Sequence, residues 1–141
     1  MSAEVFLDTN ILVYTFDVGA PRKRDRARSI VREALEKGNG VISWQVAQEF
    51  LHVALRKFEN PLTPGEASDY LDQVLRPLWK IFPSPEVFQE ALLIQRQAQY
   101  GLYDSLIVAS ALQSEASILY SEDLQHGRAF GKTLIVNPFA D

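Results

Sequence analysis

Four acidic residues, Asp8, Glu49, Asp104 and Asp123, occupy positions from which carboxylates could act together. Asp8 directly follows the apolar run Val5-Phe6-Leu7, and Asp123 lies just beyond Ile118-Leu119-Tyr120. Ligands of open parallel sheets bind at the carboxyl ends of strands, where both acids would sit. Asp104 stands at the start of an apolar helical stretch. Glu49 lies within another helix, close to its apolar face. If these elements meet, three or four carboxylates converge on one end of a sheet. Like charges that close raise each other's pKa and strain the fold. A hard divalent cation is the simplest compensation, and magnesium or manganese suits an all-oxygen donor set. Such an ion lowers the pKa of water and stabilises charge on a phosphodiester, and two ions can divide those roles. Cysteine is absent, so thiol chemistry and disulfides are excluded, and neither histidine is needed.

Each acid also has a structural reading. Asp8 could form a turn, Asp104 could cap a helix, Glu49 could be solvated, and Ser121-Glu122-Asp123 could be a polar loop. The basic run Arg22, Lys23, Arg24, Arg26, Arg28 and Arg32, interrupted by Asp25, reads either as a solvated face or as a phosphate-contacting rim. Arg22, Lys23 and Arg26 are the substrate-binding candidates within it, on the polar side opposite Ala27, Ile30 and Val31. His52 and His126 read as surface or neighbouring groups rather than general bases. Trp44, Trp79, Tyr14 and Tyr70 read as core or interface groups, with no RNA-stacking motif around them.

The elements that must hold these residues alternate. Val5–Leu7 reads as a first buried strand, with a helix from Ile11 to Phe16. Pro21 suits the first turn of a second helix, whose apolar positions run to a capping Gly38. Val41-Ile42 is a second strand, and Ser43 caps the helix carrying Val46, Phe50 and Ala54. Thr63, Pro64 and Glu66 form a capping-box signature. Trp79 to Phe82 is a third strand. Ser84-Pro85 starts a helix that stops near Gly101, and Asp104 opens the next. Ser117–Tyr120 and Leu134–Val136 complete five strands. Short strands apolar on both faces, alternating with helices, predict a three-layer α/β fold with a mostly parallel sheet.

The chain has 141 residues, 47% hydrophobic, which suits a single domain over 1–141. Its formal charge of -4 gives no general attraction for polyanions, so a nucleic-acid substrate needs a local basic patch or metal. The N-terminus lacks a signal-peptide pattern, and no apolar stretch is long enough to span a membrane, so a cytoplasmic address is expected.

In order and spacing, Asp8-Thr9-Asn10, Glu49, Tyr103-Asp104-Ser105-Leu106-Ile107-Val108-Ala109 and Ser121-Glu122-Asp123 resemble the PIN domain family, and in particular its VapC-type toxins. The resemblance spans essentially the whole chain. It implies a five-stranded parallel sheet between helices and metal-dependent cleavage of RNA. Asp8, Glu49, Asp104 and Asp123 match the family's acids, Asn10 the residue supporting the first of them, and Ser121 the small polar partner of the last. Glu122 is an extra acid beside the motif. A homodimer and a silencing cognate antitoxin are also implied. With the same fold and metal site, DNA is an alternative substrate. A phosphate- or nucleotide-binding module on a flavodoxin-like sheet is a different class, against which the chain has no glycine-rich phosphate loop. A structural protein with incidental acids is a third, and the bunching of acids after strands opposes it.

Overall fold

The computed structural model describes residues 3–140. Its elements are β1 (Val5–Leu7), α1 (Thr9–Tyr14), α2 (Pro21–Lys37), β2 (Gly40–Ser43) and α3 (Trp44–Arg56). There follow α4 (Pro64–Tyr70), a π-helical stretch (Leu71–Leu75), the single turn α5 (Arg76–Leu78) and β3 (Trp79–Ile81). The chain continues through α6 (Pro85–Ala98), α7 (Leu102–Gln113), β4 (Ile118–Tyr120), β5 (Ala129–Phe130) and β6 (Thr133–Val136). The sheet order is β3-β2-β1-β4-β6-β5, parallel except for the antiparallel β5–β6 pair.

The expected α/β architecture is present, with six strands rather than five. The extra strand is the two-residue β5, too short to leave a periodic signal. It pairs Ala129 with Leu134 and Phe130 with Thr133, extending the sheet at β6. Phe6 and Leu7 are adjacent, point to opposite faces of β1, and are both fully buried. Val41 and Ile42 of β2 behave alike. Both faces of the sheet are therefore covered by helices, which explains the lack of polar alternation in the strands.

Local signals in the sequence set most helix ends. Ser43 Oγ accepts from Val46 N–H, and Thr63 with Glu66 forms the reciprocal capping box. Gly38 ends α2 with φ 69°, a left-handed conformation that glycine adopts without a Cβ penalty. Two boundaries differ from expectation. Helix α6 stops at Ala98, and Gln99, at φ 57°, takes the left-handed position ahead of Gly101. Helix α7 begins at Leu102, so Gly101 is its cap and Asp104 its third residue. Pro77 supplies no N–H, and just before it Arg76 N–H reaches back five residues to Leu71 O, so the helix passes through a π turn there.

Gly40 marks a close approach of α2 to the sheet. A Cβ there would lie 2.6 Å from Ala34 Cβ and 2.6 Å from Leu78 Cδ2. Gly40→Ala should therefore force α2 or α5 away from β2 and destabilise the fold by about 1–3 kcal/mol. Chemical denaturation checks this, and an unchanged midpoint would refute the tight packing.

Candidate active site

Strands β1 and β4 are neighbours, with β2 and β3 on one side and β6 and β5 on the other. The chain thus reverses its direction of growth between β1 and β4, and such a switch point leaves a crevice at the carboxyl ends. Asp8 leaves β1 there. Its N–H still donates to Tyr120 O at 3.0 Å, so the sheet ladder holds its backbone. Its side chain N-caps α1 by accepting from Thr9 N–H at 2.7 Å. Ser121, the residue after β4, donates its hydroxyl to the second Asp8 oxygen at 2.7 Å. Ser121 Oγ also accepts from the backbone N–H groups of Asp123 at 3.2 Å and Leu124 at 3.4 Å. All three bonding positions of that hydroxyl are used, and the loop after β4 is folded around it.

The next two residues of α1 each hold a different acid. Thr9 Oγ1 donates to Glu49 Oε1 at 2.8 Å, joining α1 to α3. Asn10 Nδ2 donates to Asp123 Oδ2 at 3.0 Å, while Asn10 Oδ1 accepts from Glu122 N–H at 3.3 Å. Buried Gln45, one turn before Glu49, donates to Glu49 Oε2 at 3.4 Å and to Tyr103 O at 3.1 Å. That second bond ties α3 to the first turn of α7, where Asp104 sits. Asp104 itself makes no capping bond or ion pair among the described residues. The cap reading of Asp104 is thereby removed, whereas Asp8 both caps α1 and faces the site.

Burial, with the charges of Asp123 and Glu49 adding to it, pushes the Asp8 carboxyl up to about 7 against its hydrogen bonds. Partial burial and the same two charges push Asp104 up. Asp8 and Asp104 therefore both sense the charges of Asp123 and Glu49 across the crevice. Among the described residues none of the four is ion-paired. Nor, among those residues, do three acidic or histidine side chains stand close enough to enclose one ion as placed. Asp8, Glu49 and Asp123 are held instead by neutral donors on Thr9, Asn10, Gln45 and Ser121, and Asp104 by none among the described residues. Four mutually repelling oxygen donors without a counter-cation nevertheless fit a hard divalent ion by their chemistry.

The PIN domain family's model matches residues 5–130. The chain belongs to the PIN domain family. Two solved structures share the fold of this PIN domain. One is a toxin–antitoxin complex from Klebsiella pneumoniae, with TM-score 0.67, 19% identity, and coverage of 96% of this chain and 98% of that one. The other is VapC20 of Mycobacterium tuberculosis, described as a sarcin–ricin loop cleaving toxin, with TM-score 0.58, 16% identity, and coverage of 85% and 90%. No curated protein matches the chain.

Other candidates of this PIN domain fall differently. Lys23 Nζ is 2.6 Å from Glu122 Oε2, and Tyr14 Oη donates to Glu122 Oε1 at 2.6 Å. Glu122 thus points away from the acids and clamps α1, α2 and the β4 loop together. Lys23 is committed to this clamp, while Arg26 is exposed on α2. His126 Nδ1 accepts from Asn137 N–H at 2.9 Å and serves the loop fold. His52 is exposed beside Glu49 in a shallow groove. Tyr70 stacks on Phe50 at 4.6 Å, as a core group should. Sequence reasoning missed Thr9, Gln45 and Tyr103. The position of Thr9 inside Asp8-Thr9-Asn10 was the available signal, whereas Gln45 looks like any polar helical residue until α7 is placed against it.

Proposed function

We propose that this PIN domain is a divalent-metal-dependent endoribonuclease acting as one nuclease domain over 1–141, and the toxin of a toxin–antitoxin pair. The observation that carries the reading is the crevice between β1 and β4, where burial and the charges of Asp123 and Glu49 push Asp8 and Asp104 up with no paired cation among the described residues. Asp8, Asp104, Asp123 and Glu49 would hold magnesium, with manganese as a substitute. When bound, the metal supplies positive charge for the phosphodiester and lowers the pKa of water. The chain's own residues position the parts. Ser121 and the Thr9 amide aim Asp8, Asn10 aims Asp123, and Thr9 with Gln45 aims Glu49 at the attacking water. None of this requires a covalent nucleophile.

The fold shared with a toxin–antitoxin complex and a VapC toxin supports RNA as substrate and a cognate antitoxin as partner. Among the described residues no helix is long and apolar enough to cross a membrane, which suits a cytoplasmic toxin. Helix α6 leaves Phe88, Leu92 and Leu93 exposed, which supports a homodimer that sedimentation at micromolar concentration would detect. Purified protein with magnesium should cleave cellular RNA and leave DNA of matched sequence intact. DNA cleavage at an equal rate would overturn the substrate assignment, and loss of both activities the nuclease itself.

Arg22 and Arg26 line a recess beside Lys23 and Phe139, and we assign this edge to phosphate attraction. Replacing Arg22, Lys23 and Arg26 by Gln should weaken RNA binding and flatten its salt dependence. The effect should come mainly through the exposed Arg26, because the Lys23 charge is engaged by Glu122. Unchanged affinity at low salt would show a solvated face only.

A further inference from the structure

A groove of about 560 Å³ runs from the acids along α3, lined by Thr9 and Glu49 at one end and Lys57 at the other. We propose that it is a subsite for one unpaired nucleotide of the RNA, adjoining the phosphate that is cut, with Tyr103 as the stacking platform. The inference rests on the ribonuclease reading above and adds where the strand lies.

Tyr103 is 70% exposed, beside Asp104, on the groove's wall. No other ring packs on it among the described residues, unlike Tyr14, Tyr70 and Tyr100. A free aromatic face next to a phosphodiester-cutting centre suits a splayed-out base, since single-stranded RNA is held by stacking. Gln45 donates to the Tyr103 carbonyl at 3.1 Å and fixes its backbone against α3, with the same amide reaching Glu49. The platform and one of the acids thus share a single support.

The remaining lining has the matching chemistry. Gln48 and His52 are one turn apart on α3, exposed, and without a side-chain partner among the described residues. An amide offers both donor and acceptor to a base edge, and an imidazole offers a polar edge to ribose or phosphate. Lys57, just past the end of α3, has no ion pair among the described residues. It lies eight residues from Glu49, about 12 Å along a helix. The groove therefore goes from carboxylates, which need a metal to accept phosphate, to a free cation that accepts it directly. That gradient suits a strand with one phosphate at the acids and the next toward Lys57.

The test uses the full wild-type chain, with calcium in place of magnesium to fill the carboxylates without supporting cleavage, and a five-nucleotide single-stranded RNA containing 2-aminopurine. Anisotropy reads affinity, and quenching of 2-aminopurine reads stacking. Tyr103→Ala should weaken binding about tenfold and abolish the quench. Tyr103→Phe should retain both, and Lys57→Gln should reduce the salt dependence of binding. Tyr103→Ala that binds and quenches like its parent overturns the subsite. So does equal loss in Tyr103→Phe, which would point to the hydroxyl rather than the ring, and so does a parent that does not bind the single strand. If a protein segment occupies the groove instead, RNA affinity stays unchanged in all the variants, and the proposal fails. Cleavage of cellular RNA by the wild-type chain is scored separately. Intact cleavage with a failed binding panel removes the subsite alone, whereas no cleavage removes the ribonuclease reading.

Discussion

Asp8→Asn and Asp104→Asn are expected to lose RNA cleavage by orders of magnitude while the metal-free thermal midpoint is kept or raised. An Asn preserves shape and removes the charge a cation would need. The two sites should differ in how stability responds. The folded Asp8 carboxyl keeps its proton up to about pH 7, whereas an unfolded one releases it near 3.8. Between those values the folded state binds more protons, so this group makes the wild-type chain less stable as pH rises. At about 1.4 kcal/mol per pH unit, the full effect is roughly 4 kcal/mol above pH 7 and none below pH 3.8. The Asn variant escapes it, so its advantage over wild type should grow from pH 4 to pH 8.

Ser121 sets a limit on that gain. Its hydroxyl already accepts from the Asp123 and Leu124 amides and donates to Asp8. An Asn amide nitrogen in place of that acceptor leaves the hydroxyl proton without a partner, which offsets about 1 kcal/mol. A rise in midpoint of several degrees at pH 8, vanishing near pH 4, is the net expectation. Asp104 is exposed and makes no capping bond, so Asp104→Asn should leave the midpoint nearly unchanged. Cleavage rates and thermal midpoints in EDTA, taken across pH, check both variants. Near-wild-type cleavage by either one would remove the basis for the site.

Removal of divalent metal should abolish cleavage, and magnesium or manganese should restore it. The physical reason is the same repulsion. Carboxylates whose pKa values are raised by burial and by neighbouring acids are poor sites for phosphate, and a cation reverses the sign of that field. Metal and proton compete for Asp8, so the concentration needed for half-activation should rise as pH falls below about 7. Metal should also raise the thermal midpoint of the wild-type chain, because it binds only the folded arrangement. Asp8→Asn should lose most of that increment. Full cleavage in EDTA, or a midpoint indifferent to metal at pH 8, would contradict the mechanism.

Much of this architecture was legible in the residues. Buried parallel strands such as Phe6-Leu7 and Val41-Ile42 are apolar on both sides because helices cover both faces. Caps at Ser43 and Thr63 and the stop at Gly38 act within one helical turn, so local chemistry alone specifies them. The four acids could be picked out because three of them flank apolar runs, where a charge is conspicuous.

Tertiary structure decided what those residues do. Asp104 looked like a possible cap and Asp8 like a turn former, yet it is Asp8 that caps a helix, because Gly101 starts α7 three residues before Asp104. Lys23 looked like its basic neighbours until the β4 loop brought Glu122 within 2.6 Å of it. Thr9 and Asn10 each support an acid 40 or more positions away, through bonds that exist only once β1, β4 and α3 are side by side. The sequence by itself determined the elements and the reservoir of charge, since periodicity, capping and hydrophobic burial act over a few residues. Which carboxylate is buried, which is paired and which faces a groove depends on neighbours distant in the chain, because desolvation and Coulomb energy depend on separation in space.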